Sequence, residues 1–172
     1  MALIATLVVG SNNATSKGGL SAPLSTPADR GSFLALHRSA AAIIIGKVSA
    51  LVEDYRKTQV PIFVLTRQQE GVELPHPMME QITVGDDLAA TCRSIDARFD
   101  GDVVVEAGIG LLQAMVSVGA IDHLELTISP IEGDGHFVNL DDLLSDFTIE
   151  ETLEVEGTRL LKCRYNRNSS DR

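Results

Sequence analysis

Apolar residues in this chain gather into short, unbroken runs separated by polar turns. Leu3 to Val9 is rich in β-branched and aliphatic residues and stops at Gly10-Ser11-Asn12-Asn13, a cluster of turn formers. Ile43-Ile44-Ile45-Gly46, Pro61 to Leu65 and Val103 to Val105 repeat the pattern. Continuous aliphatic runs of this length predict strands covered on both faces, as in parallel sheets with crossover helices. Thr26-Pro27-Ala28-Asp29 opens a helix: a hydroxyl at the N-cap, proline at the first helical position and a carboxylate three residues after the cap. Phe33, Leu34, Leu36 and His37 place apolar groups on one face, and that helix is predicted to end near Ser39. Asp86 to Phe99 predicts another, with Leu88, Cys92 and Ile95 facing inward, and Ile109 to Val118 a third.

After Gly119 the character changes. Leu124, Leu126 and Ile128 alternate with Glu125 and Thr127, and Leu153 to Tyr165 contains a single glycine turn. The C-terminal third is therefore predicted to be antiparallel strands. The stretch from Ser16-Lys17-Gly18-Gly19 to Pro23 reads as a polar, flexible loop and Arg67 to Pro77 as an irregular one, while 166–172 reads as a frayed tail. The expectation is a three-layer α/β fold in one domain, 1–165, with a mixed, mainly parallel sheet flanked by helices.

Composition narrows the function. A chain of 172 residues that is 44% hydrophobic can build one ordinary core. Its formal net charge of −10 makes nucleic acid an unfavourable partner, because a phosphate backbone is repelled by the molecule as a whole. Cys92 and Cys163 are far apart and lack neighbouring histidines at metal-ligand spacing, so both read as buried thiols and no metal is expected. Residues 1–9 lack the basic start and small-residue cleavage site of a signal peptide. No apolar run approaches the roughly 20 residues that span a bilayer. A cytoplasmic protein without membrane partners is expected.

In open α/β sheets ligands bind beyond the carboxyl ends of the strands, where amides at helix starts meet anionic groups. Four strand ends qualify: Gly10-Ser11-Asn12-Asn13, Gly46-Lys47-Val48-Ser49, Leu65-Thr66-Arg67 and Glu106-Ala107-Gly108-Ile109-Gly110. The last brings small residues to a helix start, either as a phosphate seat or as plain turn residues. Thr66-Arg67 offers a hydroxyl and a guanidinium suited to a phosphate monoester, or an exposed loop arginine. Asn12 and Asn13 can bond a polar ligand or simply tolerate a tight turn. No serine or cysteine has a histidine and acid at a familiar spacing, so nucleophilic catalysis has no support. Asp141-Asp142 and Glu150-Glu151 read as solvated charge.

Taken in order, these segments resemble a known family, the C-terminal reductase domain of bifunctional riboflavin-biosynthesis proteins and its stand-alone relatives. The likeness runs through Leu20-Ser21-Ala22-Pro23-Leu24-Ser25-Thr26-Pro27-Ala28-Asp29-Arg30, Ala42-Ile43-Ile44-Ile45-Gly46 and Val60-Pro61-Ile62-Phe63-Val64-Leu65-Thr66-Arg67. It continues through Val105-Glu106-Ala107-Gly108, Ile121-Asp122-His123-Leu124 and Ser129-Pro130-Ile131-Glu132-Gly133-Asp134-Gly135. The resemblance implies a dihydrofolate-reductase-like fold, a homodimer, and NADPH-dependent reduction of the ribosylamino group of a pyrimidine to ribitylamino, as by a (phosphoribosylamino)uracil reductase. It implies that Gly46 and Ser49 border the cofactor and that Thr66 and Arg67 meet the adenosine 2′-phosphate. Glu106, Ala107, Gly108, Ile109, Gly110 and Leu111 would hold the pyrophosphate. Asn12, Ser21 and Arg30 would face the substrate, Arg30 as an anchor for its 5′-phosphate.

The chain departs from the family pattern at Asn12-Asn13, where many relatives carry Asp-Gly, and at Ala107-Gly108, where many carry two glycines. It departs also at Lys47-Val48-Ser49 and at His123. Asn12 cannot act as acid or base, but hydride transfer depends on positioning and electrostatics rather than on one particular acid. Two functions follow as expectations: an NADPH-dependent reductase of a small phosphorylated or heterocyclic substrate, or a catalytically degenerate homodimeric nucleotide-binding or regulatory module. A dihydrofolate-type reductase requires an acidic residue near its substrate, and these strand ends do not offer one in the expected place.

Overall fold

Every aliphatic run predicted to be a buried strand is a strand, although Leu3–Val9 is buried only at alternate residues. The computed structural model describes residues 1–71 and 73–167. Along the chain it forms β1 Leu3–Val9, β2 Ala14–Ser16, α1 Pro27–Ser39, β3 Ala42–Gly46, α2 Lys47–Val52, β4 Ile62–Thr66 and β5 Met79–Thr83. There follow α3 Leu88–Asp96, β6 Val103–Glu106, α4 Ile109–Ser117, β7 His123–Ile128, β8 Gly135–Phe137, α5 Leu140–Leu144, β9 Phe147–Val155 and β10 Thr158–Tyr165. A short 3-10 helix, Ala22–Leu24, precedes α1.

Among the described residues the main sheet has eight strands in the order β5-β4-β3-β6-β1-β7-β10-β9. From β5 to β7 all neighbours are parallel, whereas β10 is antiparallel to both β7 and β9. The expectation of antiparallel strands after Gly119 is thus corrected for β7, which runs parallel to β1. The crossover through α4 returns the chain to the end of the sheet where β6 and β1 begin, so β7 enters in the same direction.

Alternate residues of β3, β4 and β6 feed two cores. Ala42, Ile44, Phe63, Leu65, Val103 and Val105 face a large cluster that includes Cys92 and Ile95 of α3 and Leu112, Met115 and Val116 of α4. Ile43, Ile45, Ile62, Val64 and Val104 face a smaller cluster with Ala50 and Tyr55, against which Leu36 of α1 packs. Beyond β6 the second face is thinly covered. Ile4, Thr6 and Val8 of β1 are only half-buried, although their strand is parallel-paired on both sides.

Helix α1 obeys its sequence signal. Thr26 caps it, accepting the Asp29 amide at 3.3 Å, and Thr26 Oγ1 also shares a hydrogen bond with Thr158 Oγ1 at 2.8 Å. Yet its only buried residue is Asp29, because the helix lies along the border between the covered and the open part of the sheet.

The segment after β1 is not a simple flexible loop: Ala14–Ser16 pairs with Gly135–Phe137 as a small second sheet. Helix α2 and strand β5 were not predicted; the first has six residues, and the second is an edge strand with no buried residue. Strand β9 begins at Phe147, earlier than the glycine turn suggested, and its remaining residues are exposed on both faces, so no burial constraint imposes an alternation on it. Asn166 and Arg167 are bonded rather than frayed: the Asn166 amide donates to the Asp146 carbonyl and Arg167 pairs with Asp122. The remainder of the expected tail, 168–172, lies outside the described residues. No helix among the described residues is long and apolar enough to cross a membrane.

Candidate functional site

Because β4, β3, β6 and β1 are consecutive and parallel, their carboxyl ends lie along one rim of the sheet. Gly46 at the end of β3 meets the start of α4: a Cβ there would lie 3.6 Å from Leu111. The rim therefore brings Gly46, Ser49, Thr66, Arg67 and residues 106–111 to neighbouring strand ends. Helix α4 starts at Gly108, which lacks a side-chain cap, and a Cβ on Gly108 or Gly110 would meet nothing within 4 Å. The start of α4 is thus exposed at both glycines and has no side chain bonded to its cap, which leaves room for an anion at a helix N-terminus. Ala107 is buried, so its methyl group belongs to the core rather than to this opening.

At the next strand ends two cations flank the rim. Lys47 Nζ bonds Gln68 Oε1, which places the ammonium beside the Thr66-Arg67 turn, and Arg67 is exposed. Thr66 is buried and its Oγ1 accepts the Gln68 amide at 3.1 Å, so this hydroxyl closes a turn. Sequence reasoning missed Lys47 as a second cation.

Asn12 is committed elsewhere. Its Nδ2 donates to the Gly133 carbonyl at 2.9 Å, and its Oδ1 accepts the Gly133 amide at 3.1 Å and the Ala14 amide at 3.4 Å. Both ends of the side chain are occupied in stapling the turn after β1 to the turn after β7. Ser21 is exposed at the start of the 3-10 helix. Arg30 is exposed on α1, its guanidinium 5.6 Å from the centre of the Phe33 ring.

The least expected group is the Glu106 carboxyl. Its side chain is only 9% exposed, and Oε1 has no hydrogen-bond partner among the described residues. His37 Nε2 of α1 stands 3.5 Å from that oxygen, and the Tyr55 phenol meets the same carboxyl from the segment after α2. Burial pushes Glu106 up to about 7, against the smaller opposing effect of Tyr55. Burial, followed by the Arg30 charge, lowers His37, and burial followed by the Glu106 charge raises Tyr55. The Glu106 side chain therefore turns toward α1, and any contact its segment makes with phosphate comes through the amides that follow it.

Register extends this polarity across the sheet. One step beyond the Ala5–Val105 pair, Thr6 is next to Glu106; Thr6 pairs with Glu125, Glu125 with Lys162, and Lys162 with Glu151. Over this row lies a cavity of about 480 Å³ between α1 and the sheet, lined among others by Asp29, Ser32, Phe33, Thr6, Glu125 and Thr127. Asp29 is buried there, bonded by the Ser25 hydroxyl. Ser32 Oγ donates to Glu125 Oε2 at 3.5 Å, and burial raises the Glu125 carboxyl above its ordinary value. An acidic residue, Asp29, is thus present beside the sheet at the start of α1. The clue was strand parity, which puts Thr6 and Glu125 on one face and makes Glu106 the sole charge ending a buried run.

Cys92 and Cys163 are buried free thiols, each pushed up to about 11 chiefly by burial, so neither is a thiolate at neutral pH. Among the described residues no group of three or more His, Cys, Asp or Glu could hold a metal ion.

No family model matches the chain, and no curated protein is similar to it in sequence at a significant level. Solved structures are similar over nearly its whole length. A putative riboflavin biosynthesis protein from Shewanella sp. PV-4 superposes with a TM-score of 0.72 at 16% identity, covering 97% of this chain and 100% of that one. A pyrimidine reductase-like protein from Corynebacterium diphtheriae gives 0.72 at 16% identity, covering 97% and 92%. A dihydrofolate reductase from Enterococcus faecalis, complexed with NADP(H) and RAB-propyl, gives 0.72 at 16%, covering 96% and 97%. This likeness establishes the dihydrofolate-reductase-like fold, as the sequence resemblance implied.

Proposed function

We propose that this chain is a nicotinamide-nucleotide-dependent reductase of a small phosphorylated or heterocyclic substrate, with NADPH as cofactor. The single observation that carries the reading is the rim: four adjacent parallel strand ends, an α4 start without a side-chain cap and with open space at Gly108 and Gly110, Lys47 one strand away after β3 and Arg67 two strands away after β4. This arrangement fits an extended dinucleotide, with the diphosphate at the 108–111 amides and a phosphate monoester near Arg67 and Lys47. Bound there, the cofactor would supply hydride. The chain's own residues would orient it: Gly46 and Ser49 along its edge, and Phe33 with Arg30 above the sheet, where Arg30 can meet a substrate phosphate. The reductase names of the structural neighbours support the same reading.

The substrate class follows from the polar row. The Asp29 and Glu125 carboxyls, which line the cavity over that row, suit an amino-substituted nitrogen heterocycle rich in N–H donors. A ribosylaminopyrimidine phosphate is the first compound to test. Loss of reduced-nicotinamide absorbance with that compound is expected, and calorimetry is expected to detect NADPH binding. No heat with NADPH or NADH at millimolar concentration would remove the reading.

One feature favours a second reading, a homodimeric module that has lost catalysis. Asn12, at a position suited to contact substrate, is consumed in the Gly133 staple. A homodimer is compatible with both readings, since the sheet face at β1, β10 and β9 leaves Leu153 58% exposed. Sedimentation together with the turnover assay separates them: a dimer that binds nucleotide and turns nothing over is the module.

A further inference from the structure

The cluster at the end of β6 joins three elements that are distant in the chain: His37 from α1, Tyr55 from the segment after α2, and Glu106 from β6. A nine-tenths-buried carboxyl with one unbonded oxygen is costly unless a neighbour satisfies it. His37 Nε2, at 3.5 Å, is the group placed to do so. The Phe33 ring packs beside the imidazole, ring centres 5.6 Å apart.

We propose that His37, Tyr55 and Glu106 form a proton-sharing cluster in which His37 is a positioning residue, and that the charge of this cluster decides how firmly the adjoining rim holds a nucleotide phosphate. The phosphate part rests on the dinucleotide reading above; the proton sharing does not. In the neutral form the Glu106 carboxylic O–H donates to His37 Nε2, which requires the imidazole proton on Nδ1. Loss of that proton leaves a carboxylate one residue before Ala107 and two before the α4 cap, where it repels an anion seated on the α4 amides. The groups that face Glu106 are His37 and Arg30 from α1 and Tyr55 and Glu53 from the α2 side. Burial sets the titration near neutrality, Arg30 and Tyr55 draw it down and Glu53 draws it up.

Two measurements on the full chain test this. In the free protein, the His37 imidazole resonance followed by NMR is expected to report an inflection near pH 7 that disappears in Glu106→Gln. It is expected to move to higher pH in Tyr55→Phe, which removes a bond favouring the carboxylate. An inflection that survives Glu106→Gln, or none in the wild type, overturns the cluster. In the second measurement NADPH affinity is followed against pH in the wild type and in Glu106→Gln. The ratio of the two dissociation constants cancels the nucleotide's own titration. Wild-type binding should weaken relative to the variant, by roughly three- to tenfold, as pH rises through 7. His37→Gln, unable to share the proton, should shift the pH at which this change occurs. A flat ratio overturns the phosphate coupling. Absence of NADPH binding at every pH overturns the dinucleotide reading and that coupling together, while the NMR result stands by itself.

Discussion

At the residue scale the account turns on which side chains are free to act. Arg67 is exposed at the end of β4 and Lys47 lies beside its turn, so Arg67→Ala is expected to weaken NADPH by about tenfold while changing NADH little. Parallel titrations of the two nucleotides check this; equal losses would remove Arg67 from the 2′-phosphate. Glu106 makes a prediction about stability. Its folded value, near 7, lies above the ordinary 4.5, so the unfolded chain releases the proton first as pH rises. The stability Glu106 contributes is complete below its ordinary value and lost as pH climbs through 7, a fall of roughly 3 kcal/mol at most. His37, lowered by burial, acts in the opposite sense and gains stability as pH rises through its ordinary range. Urea unfolding of wild type and Glu106→Gln at about pH 5 and 8 isolates the glutamate: the variant should gain relative stability at the higher pH. Asn12 was legible as a turn former but not as a staple, because its partner Gly133 is remote in sequence and short-range patterns carry no such information.

At the scale of elements, the sequence was most informative where one constraint dominated. Strands β3, β4 and β6 are buried on both faces, and their unbroken aliphatic runs could mean little else. The α1 start was legible because its cap is local chemistry between Thr26 and Asp29. Elements without a burial constraint were not: β5 sits at one edge of the sheet, β9 at the other, and β2 is held by a strand 119 residues later at Ser16–Gly135. That small sheet makes a sharp prediction. A Cβ on Gly133 would lie 2.4 Å from the Ser16 carbonyl and 2.6 Å from Ala14 Cβ, and one on Gly10 would lie 2.6 Å from the Ile131 carbonyl. Backbone atoms cannot swing aside as a side chain can. Gly133→Ala is therefore expected to destabilise the protein by about 1–3 kcal/mol, measured by chemical unfolding. A neutral result would mean that the β2–β8 region does not pack as tightly as this.

For the whole molecule, the sheet order gathers the candidate site along one border. Parallel strands β4, β3, β6 and β1 deliver their ends to one rim, and α1 lines the cavity over the Thr6–Glu125 row. The rim could be anticipated from the sequence, since each strand ended in a recognisable loop. The polar row and the Glu106 cluster could not, because they depend on register between strands and on where α1 crosses the sheet. The central claim is that the rim grips a dinucleotide, and amide chemical-shift mapping during an NADPH titration tests it most directly. The expected result is that shifts concentrate at 46–49, 66–68 and 107–111. Shifts confined to the β9–β10 hairpin, or no shifts at saturating nucleotide, would contradict it.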